Sequence, residues 1–219
     1  MVASPAPRSR QHASVEPDSP LRREPVQARA KERIERVLNA AEAVFVDVGY
    51  EAATTNLIAT RAETSIGSIY EFFADKQAVA RALADRYLTE LTELYDKVVV
   101  DDPGGRDAIV AKVVDALDGF YMRHPGLGPL FRGCRGSDDL QAAGEALQAS
   151  LVEHVDRLIA VRRGNTDPVR RHVVAEMCAD ILRSVLDEAA AKPDEERVAL
   201  VAELKLVLTS YLTVALPRP

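Results

Sequence analysis

Thr54, Thr55, Asn56, Ser65, Ser68 and Tyr70 gather five hydroxyls and one amide into a short span near the start of the chain. Such groups give and take hydrogen bonds at neutral pH without a shifted pKa, so the chemistry they suit is recognition. Hydroxyls reach phosphate oxygens, whereas base edges would be read by Asn56, Ile66, Gly67, Ser68 and Glu71. Gly67 and Ser68 are small, which lets a backbone approach a duplex, and the N–H groups opening a helix there attract phosphate. Lys76 adds a positive charge where the next long helix begins.

Bond-making chemistry has no comparable cluster. The chain carries no Gly-rich phosphate loop, no HExxH and no GxSxG, so no enzyme is expected. Cys134 and Cys178 stand far apart with no CxxC pair and no His at finger spacing, which excludes a disulfide framework and a zinc finger. His172, Glu176 and Asp180 form an i, i+4, i+8 ladder, but Arg170, Arg171 and Arg183 are at hand to pair with its carboxylates. A solvated, salt-bridged face is expected there, and neither metal nor cofactor. Cys178 sits between apolar neighbours as a small core residue.

The elements that must position the polar cluster are helices. Ile34, Val37, Leu38, Ala41, Val44, Phe45 and Val48 recur with a helical period from Gln27, and Gly49 stands where a left-handed cap would end the helix. Thr54 and Thr55 cap a short helix carrying Leu57, Ile58 and Ala62. Glu63-Thr64 makes a turn, Ser65 caps a second short helix to about Phe73, and Asp75 caps a long one from Lys76. Two short helices joined by a tight turn and packed on an amphipathic helix form a helix-turn-helix, whose second helix is dimensioned for the DNA major groove.

Downstream, helical periodicity continues from Ile109 to Phe120, Leu140 to Arg162, Pro168 to Ala191 and Asp194 to Leu216, with turns and loop over Leu127 to Asp139. No stretch alternates as a strand, so the chain is all-α. Residues 1–26, rich in Pro, Ser and Arg, read as a disordered basic arm in which Arg8, Arg10, Arg22 and Arg23 could add phosphate contacts. Residues 27–82 then form the helix-turn-helix domain and 83–219 a larger helical domain.

With 219 residues, 47% hydrophobic and 28% charged, the chain has the composition of a globular protein with a real core. A net charge of -6 argues against nonspecific coating of nucleic acid and leaves room for a local basic surface. No apolar run approaches the roughly 18 residues of a bilayer span, and the first residues lack the pattern of a secretory signal. These features point to the cytoplasm.

The run Gly49-Tyr50-Glu51-Ala52-Ala53-Thr54-Thr55-Asn56-Leu57-Ile58-Ala59, followed by Thr64-Ser65-Ile66-Gly67-Ser68-Ile69-Tyr70-Glu71-Phe72-Phe73-Ala74-Asp75-Lys76, resembles the DNA-binding domain of the TetR family of bacterial transcriptional regulators. The likeness covers roughly Gln27 to Ala82. It implies an all-helical homodimer that binds a palindromic operator through its N-terminal domains and a small molecule in its C-terminal domain. By family position Thr55, Asn56, Ser65, Ile66, Gly67, Ser68, Tyr70, Phe72 and Lys76 would face double-stranded DNA. Glu63 departs from the pattern, which usually has Gly at this turn; a left-handed conformation there would cost about 1 kcal/mol.

The resemblance places an effector pocket among the middle helices, where Tyr95, Phe120, Tyr121 and Phe131 are aromatic candidates and Leu147, Leu151 and Met177 aliphatic ones. Arg132 and Arg135 beside the Gly-rich loop could meet an anionic ligand. The last helix is apolar on two sides, so one side needs a partner outside the bundle. A four-helix dimer interface built from the last two helices of each chain is therefore expected, with Val174, Ile181, Val185, Leu204, Leu208 and Tyr211 as candidates. The reading is a repressor released by a small molecule; its rival is a regulator gated by a protein partner or by abundance.

Overall fold

The computed structural model describes residues 24–99, 105–133, 138–162 and 166–216, and every regular element among them is an α-helix. The arm's Arg8, Arg10, Arg22 and Arg23, and Arg135, lie outside the described residues, as does the side chain of Phe131. Helix α1 (Glu24–Ala52) begins slightly earlier than its periodicity suggested. Val37, Leu38, Ala41, Val44 and Phe45 form its buried stripe, whereas Val48 is exposed. Gly49, at φ 77 and ψ 163, breaks the helix in a conformation essentially reserved for glycine, distinct from the left-handed cap expected. A further turn follows it, and the Tyr50 ring folds back onto Phe45 with centroids 5.5 Å apart.

Helices α2 (Thr55–Arg61), α3 (Ile66–Tyr70) and α4 (Lys76–Val99) follow. Each start is capped as the side-chain chemistry demands. Thr54 Oγ1 accepts from the Leu57 N–H at 3.2 Å, Ser65 Oγ from Ser68 at 3.1 Å, and Asp75 Oδ1 from Ala78 at 2.8 Å. Ile58, Ile69 and Phe73 are buried beneath α2 and α3, and Val79, Ala80 and Leu83 pack from α4 toward α1. Fully burying an isoleucine stabilises by about 1.5–3 kcal/mol, so Ile58 and Ile69 anchor both short helices, which could not persist alone.

Helices α5 (Arg106–Arg123), α6 (Leu127–Gly133), α7 (Asp138–Arg162), α8 (Pro168–Ala189) and α9 (Asp194–Ala215) build the rest. Asp167 caps α8, accepting from Arg170 at 2.9 Å, and Pro168 takes the first turn, where no N–H is missed. Asp194, Glu195 and Glu196 favour the positive end of α9. α7 packs along α8 and α4, and α9 lies against α8 and α5. The α5–α9 seam carries ion pairs from Arg197 to Asp118 and from Lys205 to Asp115, each at 2.5 Å.

Two expectations about the last helices change. α9 is long and apolar enough to cross a membrane by length and composition, with a mean hydropathy of 1.7 over an 18-residue window, although isolated charges interrupt every apolar run. Only 17% of that window is buried, because just one side of α9 meets α5 and α8. Second, Val174, Leu204 and Leu208 are buried inside the subunit and cannot also form an outer face. Ile181, Val185 and Tyr211 are half-buried. The large apolar side chains left exposed are Val169, Val173 and Met177 on α8 and Val198, Leu206, Val207 and Val214 on α9.

Candidate nucleic-acid interface and cavities

The turn between α2 and α3 is set by backbone geometry. Glu63 has φ 51, the left-handed conformation, with its N–H donating to Thr60 O at 3.2 Å and the Thr64 N–H to Ala59 O at 3.0 Å. These two bonds close α2 in the Schellman pattern, which usually takes glycine at the left-handed position. The turn directs α3 so that Ile69 faces inward while Ser65, Gly67 and Tyr70 face out.

On that outer side, Ser65 Oγ and Ser68 Oγ lie 2.9 Å apart, and Tyr70 Oη lies 3.4 Å from Thr55 Oγ1. Asn56 is exposed beside Thr55. A Cβ built on Gly67 would meet only Ser65 Oγ, at 3.8 Å, so nothing among the described residues demands glycine there. A small residue at this exposed position keeps the outer side of α3 open. Ile66 and Phe72 are half-buried against the core, leaving part of each ring or chain open.

Lys76 makes contacts within the chain that its expected role did not include. Its ammonium donates to the carbonyls of Tyr50 at 2.8 Å and Glu51 at 3.1 Å and sits 4.4 Å from the Tyr50 ring centroid. It closes the last turn of α1, where the helix dipole favours a cation, and so ties α4 to α1. Nothing in the spacing of Lys76 distinguishes these two uses; the 26-residue separation from Tyr50 hides the contact.

A cavity of about 460 Å³ lies between α4, α5, α6, α7 and α8. It brings together four expected residues, Tyr95, Tyr121, Leu147 and Leu151. Phe120 is fully buried instead against Tyr87 and His124, and Met177 lies on the open face of α8, so neither lines it. Missed by sequence reasoning were Leu127, Gln148, Leu182 and Asp187, which only helix packing brings together. Burial pushes the Tyr95 and Tyr121 phenols up, so both remain neutral donors. Gln148 Nε2 donates to Asp180 at 2.9 Å while its buried Oε1 lacks a protein partner. Arg132 pairs with Asp187 in the wall. The His172–Glu176–Asp180 ladder divides accordingly: His172 lies 3.6 Å from Glu176 on the surface, and Asp180 turns to Gln148.

Helix α6 joins this cavity to α1. Leu127, Gly128 and Arg132 line the cavity, and the adjoining Gly126 N–H donates to Glu42 Oε1 at 3.4 Å. A Cβ at Gly126 would stand 2.7 Å from Glu42 Cγ and 3.3 Å from its carbonyl oxygen, so the approach requires glycine. Arg86 bridges Glu42 at 3.0 Å, Glu35 at 3.3 Å and Asn39 at 2.6 Å, while His124 Nε2 lies 2.8 Å from Glu90. Burial alone would raise the Glu42 pKa, but contacts with His124 and Tyr87 and the charges of His124 and Arg86 outweigh it and hold it below the ordinary value. A carboxylate inside the apolar stripe of α1 was the one sequence sign of this junction.

Comparison with known proteins agrees with this arrangement. Residues 37–83 match the model of bacterial regulatory proteins of the tetR family, and residues 107–212 match a tetracyclin repressor-like C-terminal domain. The chain is 28% identical over 185 residues to the HTH-type transcriptional repressor KstR of Rhodococcus jostii, covering 80% of this chain and 84% of that one. It is 42% identical over 59 residues to the A-factor receptor protein of Streptomyces griseus, a match spanning 27% of this chain and only 21% of the receptor. A tetR-family regulator structure from Streptomyces coelicolor superposes with a TM-score of 0.69 at 20% identity, over 84% of this chain and 82% of that one. Both halves of the chain therefore fall within one group of regulators, and the protein belongs to the TetR family of bacterial transcriptional regulators.

Proposed function

We propose that this regulator is a repressor that binds a palindromic operator as a homodimer and leaves it when a small molecule enters the cavity between α4 and α8. The cavity wall and the DNA-binding half share α6, and the Gly126–Glu42 contact supports this coupling most directly. Direct DNA contact is assigned to Thr55, Asn56, Ser65, Gly67, Ser68 and Tyr70, with Ile66 and Phe72 at the margin. The domain boundary near 82/83 falls within the continuous α4, which extends from the DNA-binding half into the cavity wall. The cytoplasm is the compartment in which such a protein meets its operator.

The effector combines apolar surface with a hydrogen-bonding group, because aliphatic walls alternate with Tyr95, Tyr121 and Gln148. It must bind one conformer better than the other, otherwise nothing shifts. In the released conformer the two recognition helices of the dimer no longer match successive major grooves, roughly 34–36 Å apart. The dimer face is assigned to the exposed apolar side chains of α8 and α9, with Ile181, Val185 and Tyr211 flanking them.

A thermal-shift screen of the wild-type protein and Leu147→Trp tests the effector site. A compound that stabilises the wild type, releases it from operator DNA and has no effect on the obstructed variant is the expected finding. Release that survives the obstruction would place the effector elsewhere.

A further inference from the structure

A second cavity of about 510 Å³ lies between α5, α7, α8 and α9, on the side of the domain reached by the last helix. Its chemistry differs from the first. Branched aliphatic side chains such as Val110, Val114, Ile159, Leu208 and Leu212 make its walls, together with the thiol of Cys178. Among its described lining residues there is no aromatic ring, hydroxyl, amide or carboxylate; the charged ones are Arg106 and Arg162. A polar group inside would find no partner and would lose its water, which excludes sugars, nucleotides and peptides from the interior. Aliphatic chain has no such cost and gains with every methylene removed from water.

The two guanidinium groups define the other end of the ligand. Arg106 donates to Thr213 Oγ1 and to the Leu216 carbonyl, both at 2.7 Å, which fixes it at the last turn of α9. Arg162, exposed in the last turn of α7, brings a second guanidinium to the same cavity. Planar, always charged and rich in N–H donors, guanidinium suits a carboxylate or phosphate oxygen.

We propose that this cavity is a second ligand site, separate from the effector cavity, for a molecule with an aliphatic chain and an anionic head. The chain lies among the α5, α7, α8 and α9 side chains, and the head meets Arg106 and Arg162. Leu182 lines both cavities, so the two sites share a wall.

The test uses cis-parinaric acid, a naturally fluorescent long-chain carboxylate, with its methyl ester as the uncharged counterpart. The acid should bind one per protomer, and Arg162→Gln, at an exposed position, should weaken the acid about tenfold while leaving the ester within about twofold. Leu147→Trp, which obstructs the first cavity, should leave binding unchanged. In a Cys134→Ser background the probe should slow N-ethylmaleimide modification of buried Cys178. Absence of binding would overturn the proposal. So would binding that Leu147→Trp abolishes and Arg162→Gln leaves intact.

Discussion

Tyr70 Oη at the end of α3 lies 3.4 Å from Thr55 Oγ1 at the start of α2, so the two short helices present their hydroxyls as one surface. More than half of Tyr70 is exposed, although the ring sits one residue from the fully buried Ile69. Burial of Ile69 sets the rotation of α3, and that rotation turns Ser65, Gly67 and Tyr70 outward. This outward hydroxyl surface is thus a consequence of how the core of this small unit packs.

Gly67→Ala separates DNA approach from fold. Alanine in a helix is about 0.5–1 kcal/mol better than glycine, and the new methyl meets only Ser65 Oγ at 3.8 Å. Thermal melting should therefore rise slightly while operator affinity falls several-fold. Unchanged affinity would remove Gly67 from the DNA contact.

Glu63→Gly should stabilise the protein by about 1 kcal/mol, because φ 51 then carries no side-chain penalty. For a chain of this size that is a rise of roughly 2–4 °C in Tm. Calorimetry of the two proteins decides it; an equal or lower Tm would mean the glutamate is held there by something worth more than the strain.

The helix-turn-helix was legible because local rules define it. Thr54, Ser65 and Asp75 each cap the helix that follows, and the left-handed turn at Glu63 lies at the expected position. The cavity between α4 and α8 was half legible: Tyr95 and Tyr121 recur on helical faces, but which face meets a void depends on how α4, α5 and α7 dock. For the same reason Phe120 and Tyr121, adjacent in sequence, end up in core and cavity respectively. The outer face was misread at Leu208 because α9 is apolar on two sides, and only its docking on α5 and α8 shows which side remains open. Glu42 and Gly126 stand 84 residues apart, and only the carboxylate interrupting the apolar stripe of α1 hints at their contact.

His154 makes stability depend on pH. Its ring is buried, stacks on Tyr95 with centroids 4.3 Å apart, and leaves Nε2 without a partner. Burial first, then the charge of Arg157, lowers its pKa from 6.5 to about 4, with Asp96 opposing. Between those values the unfolded chain takes up a proton that the folded chain refuses, so stability is full above pH 6.5 and falls as pH falls. The loss between pH 7 and 5 should be about 2 kcal/mol. Urea unfolding of His154→Phe, which keeps a stacking ring, should show that slope flattened; an unaltered slope would assign it to other groups.

Leu206→Glu and Leu208→Glu should fail in different ways. Leu206 is 60% exposed on the open side of α9, and a carboxylate there should split the dimer while the subunit stays folded. Leu208 is 3% exposed, and a charge there should cost several kcal/mol and unfold the domain. Light scattering with circular dichroism distinguishes the outcomes; a dimeric Leu206→Glu would move the interface.

Sequence-specific DNA binding through α3 is the central claim, and its most direct test is fluorescence anisotropy with DNA from upstream of the protein's own gene. Wild-type protein and Tyr70→Ala are titrated at low and moderate salt against unrelated competitor DNA. Competitor-resistant binding that weakens with salt, and that drops tenfold or more in a still dimeric Tyr70→Ala, is the predicted result. Equal affinity for the two DNAs, or an unaffected Tyr70→Ala, would contradict it.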